Sequence, residues 1–202
     1  SDLALVSKAG GDPQMMSRLS AVRQLGSVRG RGRDTAVAAL SARLQHDAFY
    51  GVRVYAARSL GEIHTARAKA ALLRALAETD SRVRVAVVEA LATFARDPEV
   101  YHALLGRLAG DSSDAVEAAA ARAIGASGAA SACSALESVA GSGADRHVMA
   151  GVLAGLAATD DPRALAILVS DAGPGKPEAL RLASLRALER PGRILCLTDR
   201  IH

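Results

Sequence analysis

Apolar residues recur along the chain at helical spacing, and the whole pattern repeats six times. Each repeat has a Leu or Ile anchor, preceded four and eight residues earlier by apolar or small residues, which places all three on one helix face. The anchors are Leu25, Leu60, Leu91, Ile124, Leu156 and Leu188. They lie 35, 31, 33, 32 and 32 residues apart. A period of this length predicts an array of helical repeats.

A second helical pattern lies between the anchors, so each repeat contains two helices. Its apolar positions recur three or four residues apart, as at Leu72 and Leu76. Residue types that cap helix N-termini precede this second pattern, and Pro directly follows two of these caps. Pro is tolerated at the first helical position because its missing N–H would have no partner there. The predicted caps are Thr35, Thr65, Asp97, Ser131 and Asp161.

Composition supports helices that pack through small residues. Half of the 202 residues are apolar, yet five are aromatic and none is Trp, whereas 45 are Ala and 25 are Leu. Ala and Leu favour helices, and strands favour β-branched and aromatic residues, so the composition argues against a β-sandwich or barrel. Small residues one and four positions before the anchors let neighbouring helices approach closely. Gly26, Gly61 and Gly125 each follow an anchor, so we expect them to end their helices in a left-handed conformation.

A single helix pair cannot bury its apolar face, and stacking against neighbouring pairs completes the core. The sequence therefore predicts an all-α fold, an α-solenoid of about six antiparallel helix pairs in one domain over residues 1–202. The expected repeats are 12–46, 47–79, 80–110, 111–142, 143–173 and 174–202, the last one incomplete. Because the tail 193–202 supplies no clear polar capping helix, we expect self-association through this end.

Charge and cysteine usage exclude several classes of protein. The 25 Lys and Arg against 21 Asp and Glu give a net charge of +4, with both signs interspersed, and there is no basic stripe for nucleic acid. Cys133 and Cys196 cannot form a disulfide framework, which favours a reducing, cytoplasmic compartment, and we expect Cys133 to be a small core residue. No apolar run approaches the roughly 20 residues that span a bilayer. The chain begins with Ser, so we expect it to be part of a longer protein.

The motifs of common catalytic and cofactor sites are absent from the sequence. No two of the five His residues are three or four apart, so a helical zinc pair is missing, and neither Gly-x-Ser-x-Gly nor a phosphate-binding Gly-rich loop occurs. We therefore expect no metal, no cofactor and no catalytic centre in this chain. The loop Arg29-Gly30-Arg31-Gly32-Arg33 could hold a phosphate, but one loop supplies few contacts, and we interpret it as a solvated connector.

Two stretches carry a recognisable signature. Residues 47–63 and 80–91 share the order Asp, Val-Arg, small residues and then Ser-Leu or Ala-Leu. This order resembles HEAT repeats, in particular the short kind of phycobilin-lyase-like proteins. The resemblance implies that Arg residues seven positions before the anchors form an internal ladder with Asp residues near the links. The predicted ladder residues are Arg18, Arg53, Arg84, Arg181, Asp47 and Asp80; repeats four and five have Glu117 and Met149 at the Arg position.

A narrower resemblance rests on residues 46–53, 56–63 and 94–98. These look like the C-terminal helical-repeat region of bacterial zinc aminopeptidases of the aminopeptidase N type. That resemblance implies a non-catalytic part of a larger metallopeptidase that helps enclose its cleft and contacts its own upstream catalytic domain. The alternative is a free-standing protein–protein scaffold or lyase-like chaperone. A nucleic-acid-backbone binder, as in HEAT-like DNA glycosylases, is disfavoured by the lack of Trp and of a basic stripe.

The second helices are the predicted binding surface, because in such arrays they line the concave side. Aromatic and Arg residues are preferred anchors at protein interfaces. The outward candidates are Arg67, Arg74, Tyr101, His102, Arg107 and Arg163. For Tyr101 two interpretations stay open, an interface anchor and a half-buried side chain under the next repeat. The sequence identifies no ligand, partner or peptide specificity.

Overall fold

The computed structural model describes residues 2–11, 13–142 and 144–189, and these contain twelve α-helices and no strand. The helices are α1 (Asp2–Gly11), α2 (Met15–Leu25), α3 (Arg33–His46), α4 (Tyr50–Ile63), α5 (Ala66–Arg74), α6 (Ser81–Leu91), α7 (Pro98–Gly110), α8 (Asp114–Gly125), α9 (Ala132–Gly141), α10 (Arg146–Ala158), α11 (Pro162–Ala172) and α12 (Glu178–Leu188). Single 3-10 turns cover Gly30–Gly32, Ala75–Ala77 and Ala92–Phe94. The predicted all-α class is confirmed.

The chain divides into two compact units, residues 1–94 and 95–202. The first contains α1 to α6 and the second contains α7 to α12. The single-domain organisation and the repeat boundaries stay predictions. The tail 193–202, with Cys196 and the end of the incomplete sixth repeat, lies outside the described residues, as does the basis for the expected self-association.

In the first unit, the first helices of the repeats form one layer and the second helices another. Helix α4 packs between α2 and α6, and α3 packs on α4 and α5. Helix α1 was not predicted. Helix α1 contacts α2 and α3 in the same way that the second helix α3 contacts α4 and α5. It therefore occupies the position of a second helix that precedes the first repeat.

In the second unit, α10 packs between α8 and α12 and is in closest contact with α8. The backbones of the second helices α7, α9 and α11 stay farther apart than those of the first helices. The expectation that the second helices line the concave side stays a prediction.

The predicted anchors form the core of both layers. Leu25, Leu60, Leu91, Ile124 and Leu156 are all 0% exposed, whereas Leu188 in α12 is half-buried. Each buried leucine or isoleucine side chain contributes about 1.5–3 kcal/mol relative to an exposed one. The six-fold pattern of apolar positions therefore identifies the core correctly in its first five copies.

Most of the predicted caps are confirmed. The side chains of Thr65, Asp97 and Asp161 accept hydrogen bonds from backbone N–H groups in the first turns of α5, α7 and α11. Ser131 precedes α9, but its side chain makes no cap hydrogen bond. The assignment of Thr35 is wrong, because α3 begins two residues earlier at Arg33, after the 3-10 turn.

The predicted left-handed conformation of Gly26, Gly61 and Gly125 is also wrong. Gly26 has a φ of −60°, and none of the three has a positive φ. These positions lie so close to a neighbouring helix that they leave little or no space for a side chain. A β-carbon on Gly26 would lie 2.8 Å from the Ser59 hydroxyl, and one on Gly125 would overlap the backbone of Gly155. Gly26 caps α2 and Gly125 is the last residue of α8, but glycine at these sites permits close helix contact and does not adopt a left-handed conformation.

Candidate protein-binding surfaces

The two predicted contact residues of the first unit lie on α5 and reach solvent. Arg67 forms a loose ion pair with Asp34, with 3.7 Å between guanidinium and carboxylate, and both side chains are more than 70% exposed. Arg74 is exposed in the last turn of α5. Because an exposed pair contributes little to stability, both cations are accessible to a partner.

In the second unit, Tyr101 and His102 lie on α7. Tyr101 is half-buried, and its hydroxyl lies 2.9 Å from the Ser131 hydroxyl at the start of α9. His102 is exposed. The tyrosine ring is thus held in place by a neighbouring second helix while part of it stays accessible.

Arg163 on α11 is fixed by two partners. Its guanidinium donates to the Asp161 carboxylate, with a shortest distance of 2.7 Å, and reaches the Ser134 hydroxyl of α9 at 3.4 Å. Hydrogen bonds from the Arg163 side chain and backbone lower the pKa of Asp161, so the pair stays charged. Tyr101, Ser131, Ser134 and Arg163 therefore connect three second helices, and we call these four residues the second-helix row.

Arg107 has a different environment. Its guanidinium lies 3.2 Å from the carboxylate of Asp111, one turn later, and that carboxylate is only 1% exposed. A buried carboxylate is costly without a cation, so Arg107 has a structural role at the end of α7 in addition to any contact it makes.

A groove between the first helices α2 and α4 was not predicted. Its volume is about 670 Å³, and its walls include Met16, Leu19, Arg23, Tyr55 and Arg58. The sequence does contain a signal for it, since Arg23 and Arg58 both lie two residues before an anchor. We call this feature the first-helix groove.

The sequence profile of HEAT repeats matches residues 37–120 and 102–189, which together make up most of the chain. The chain belongs to the HEAT-repeat family. A search among curated proteins found no match. With the helix pairs described above, the family assignment confirms the predicted α-solenoid.

Three solved structures share this HEAT-repeat fold. The complex of CpcE and CpcF of phycocyanin lyase from Nostoc sp. PCC7120 aligns with a TM-score of 0.60 and 19% identity over 98% of this chain and 92% of that one. The karyopherin Kap121p, bound to the extreme C-terminus of the phosphatase Cdc14p, aligns with a TM-score of 0.64 and 14% identity over 91% of this chain and 22% of that one. Human deoxyhypusine hydroxylase in complex with glycerol has a TM-score of 0.51 and 19% identity over 98% and 88% of the two chains. At these identities the likeness concerns the fold alone.

The first expected rung of the HEAT ladder joins Arg18 of α2 to Asp47 at the start of the next repeat. The guanidinium donates to both carboxylate oxygens of Asp47, at 3.0 and 3.1 Å, and the Phe49 N–H donates to the same carboxylate at 3.0 Å. Burial alone would raise the pKa of Asp47. The hydrogen bonds from Arg18 and Phe49, with the charges of Arg18 and Arg43, outweigh burial and lower the pKa below its ordinary value of 3.8.

The other ladder residues are arranged less regularly. Arg53 donates to the Asp47 backbone carbonyl at 2.7 Å and lies 3.9 Å from the Asp80 carboxylate. Asp80 is held more tightly by Arg82, at 2.7 Å, and the hydrogen bond from the Arg82 side chain is the main reason that the pKa of Asp80 falls to about 2. Arg84 is buried and donates to the backbone carbonyls of Glu78 and Thr79, at 2.8 and 2.9 Å. Arg181 is exposed on α12.

Cys133 and His64 have structural environments. Cys133 is buried in α9, and burial, together with the nearby Asp161 carboxylate, raises the pKa of its thiol, so it is protonated at neutral pH and unreactive. His64 ends α4 in a left-handed conformation, with a φ of 52°, and its ring stacks on Phe94 at 4.1 Å between centroids. Its Nε2 donates to the Thr93 carbonyl at 2.9 Å, which fixes the ring.

The Arg29 to Arg33 loop makes local contacts. The Arg29 guanidinium donates to the carbonyls of Gly26 and Val28, at 2.9 and 3.1 Å, and Gly30 has a φ of 71°. Within the described parts of the chain, no three metal-ligating side chains converge on one point, and no helix has the length and hydropathy needed to cross a membrane.

Proposed function

We propose that this HEAT-repeat chain is a non-catalytic scaffold that binds another protein, and that the second-helix row lies in the contact surface. The supporting observation is that Tyr101 and Arg163 are held by hydroxyl groups of α9 while remaining accessible; the Arg163 side chain is 57% exposed. Tyr and Arg dominate the binding energy of many interfaces. Side chains that are already ordered lose less conformational entropy when a partner binds.

The structural neighbours support a protein partner. One neighbouring structure is a complex of CpcE with CpcF, and another is Kap121p bound to the extreme C-terminus of Cdc14p. In both cases a chain of this fold is found in contact with another polypeptide. We extend this property to the present chain, with His102, Arg67, Arg74 and Arg107 as further candidates on the second helices.

The narrower aminopeptidase hypothesis gains no support from these comparisons. A scaffold whose partner is a separate protein agrees better with the structural neighbours. The hypothesis that a zinc aminopeptidase contains this chain requires an upstream His-Glu-x-x-His motif followed by a distal Glu. A parent gene that lacks this motif would rule out the aminopeptidase hypothesis.

Replacing Tyr101 and Arg163 together by Ala should strongly weaken capture of the partner. The wild-type chain, immobilised and exposed to a lysate of the source cells, is expected to retain at least one protein that the double variant retains about thirtyfold less, the loss typical of a hot-spot pair. Quantitative mass spectrometry of the eluted proteins measures this ratio.

The matched control is Arg122→Ala, which removes an exposed arginine from the first helix α8. It should capture the same proteins as the wild type. Thermal unfolding of all three chains checks that they are equally folded. If the double variant retains every protein that the wild type retains, the second-helix row is not the contact surface.

A further inference from the structure

The first-helix groove is open to solvent and follows the length of two helices. Its walls extend from Met16 on α2 to Ser27 just after that helix, and from Tyr55 to Glu62 on α4. The ten helical residues from Met16 to Leu25, at 1.5 Å each, give a length of about 15 Å, which about five residues of extended chain would fill. Such a shape suits a polypeptide segment better than a compact metabolite.

The groove arises from side chains that differ from those at the same positions in later repeats. Five residues before the anchor, repeat two has Tyr55, whereas repeats three to six have Ala or Gly. One residue before the anchor, repeats one and two have Gln24 and Ser59, whereas repeats three to six again have Ala or Gly. The small residues allow close contact, as between α8 and α10, whereas the larger side chains of Gln24 and Tyr55 form part of the wall of the groove between α2 and α4.

Two guanidinium groups flank the ring of Tyr55 in this groove. The Cζ atoms of Arg23 and Arg58 lie 5.4 and 5.5 Å from the ring centroid, within the range of a cation–π contact. Both arginines come from the same position of consecutive repeats, two residues before the anchor. The aromatic ring therefore sets the distance between two cations on neighbouring helices.

Nearby carboxylates neutralise little of the positive charge of Arg23 and Arg58. Arg58 lies 3.9 Å from Glu89, and both side chains are about half exposed, which makes this a weak pair. Glu62 closes one end of the groove. In the described part of the chain, no carboxylate lies within ion-pair distance of Arg23. Guanidinium groups bind carboxylates through paired hydrogen bonds, and Met16, which is 65% exposed, adds an apolar contact at the other end.

We propose that the first-helix groove binds an acidic segment of a partner protein, with Asp or Glu carboxylates on Arg23 and Arg58 and an apolar side chain against Met16 and Leu19. This surface is separate from the second-helix row, because it lies on the first helices of the first unit. The chain thereby has a second protein contact that does not depend on the first.

The test uses the whole chain and a fluorescein-labelled pentapeptide of Glu and Leu residues, followed by fluorescence polarisation at low salt. Replacing Glu by Gln in the peptide should weaken binding at least about tenfold, and so should Arg23→Gln with Arg58→Gln in the protein. Tyr55→Leu should weaken binding as well, whereas Tyr55→Phe, which keeps the aromatic face, should not.

The matched control is Arg122→Gln, because Arg122 is exposed and has the same position relative to its anchor in α8. Its peptide affinity should equal that of the wild type. An equal loss in Arg122→Gln would show that net charge alone attracts the peptide, and equal binding of the Gln peptide would show that the arginines are not used. Either result overturns the proposal, as would the absence of saturable binding or tighter binding of a short DNA duplex than of the peptide.

Discussion

Gly155→Ala is expected to lower the free energy of unfolding by about 2 kcal/mol, although Ala is the better helix former by about 1 kcal/mol. Gly155 lies inside α10, and a β-carbon there would overlap the backbone carbonyl of Ala121 in α8. Backbone atoms cannot rotate away as a side chain can, so the two helices must separate and lose buried contacts. Urea denaturation followed by circular dichroism at 222 nm, the standard helix signal, measures the change.

Gly106→Ala is the matched control, because Gly106 is also an interior glycine of a helix. It lies in α7, is exposed, and has no neighbouring atom within 4 Å of the position of an added β-carbon. Here only helix propensity and the entropy of the unfolded chain change, so stability should rise by about 1 kcal/mol. The two substitutions are chemically identical and should have opposite signs. If both stabilise the protein, α8 and α10 are not in backbone contact.

The helices and the core could be predicted because their signals are local. Apolar residues at spacings of three and four identify a buried helix face whatever lies opposite, and Leu25, Leu60 and Leu156 are accordingly fully buried. Caps such as Asp97 act within one turn of the chain. These features need no knowledge of the neighbouring repeat.

The glycines show where local rules fail. A glycine after an apolar anchor resembles a left-handed helix C-terminus, but Gly61 lies inside α4, Gly125 is the last residue of α8 without a positive φ, and an adjacent helix passes close to both. That requirement comes from a residue about 30 positions away, such as Ala90 beside Gly61. The available signal was the repetition of small residues five and one positions before the anchors, as in Gly151 and Gly155 of α10.

The candidate surfaces were predicted in part. Tyr101 and Arg163 were selected because aromatic and Arg residues are good anchors, but their connection through Ser131 and Ser134 depends on the spacing of three helices. The first-helix groove was missed because Tyr55 lies on the helices assigned to packing. Its arginines look like ordinary solvent-exposed charges until two helices bring them to one ring.

Asp47→Asn is expected to lower the free energy of unfolding by about 3 kcal/mol. The carboxylate is 1% exposed and binds Arg18 through two hydrogen bonds, while Arg43 lies 3.6 Å away. Without the negative charge, the Arg18 guanidinium, whose side chain is 15% exposed, remains largely buried and loses the charge of the Asp47 carboxylate. Because that cation retains some contact with water, we place the effect at the lower end of the range for broken buried pairs.

Asp34→Asn provides the control for the loss of a charge. Asp34 also faces an arginine, but both side chains of that pair are more than 70% exposed, so the change should cost about 0.5 kcal/mol or less. Comparable losses for the two variants would mean that burial of Asp47 is not what makes its ion pair important.

The contribution of Asp47 should disappear in acid. Since the pKa of Asp47 is lower in the folded protein than its ordinary value of 3.8, the unfolded chain binds the proton first as the pH falls. The stability that this carboxylate supplies is therefore complete at neutral pH and is lost as the pH falls below 3.8 and through the folded pKa.

The difference in unfolding free energy between wild type and Asp47→Asn should be constant from about pH 7 to pH 5 and shrink below about pH 4. Urea titrations of both chains across this range measure it. A difference that stays constant down to about pH 3 would show that the side-chain shape of Asp47, and not its charge, stabilises the link between the first two repeats.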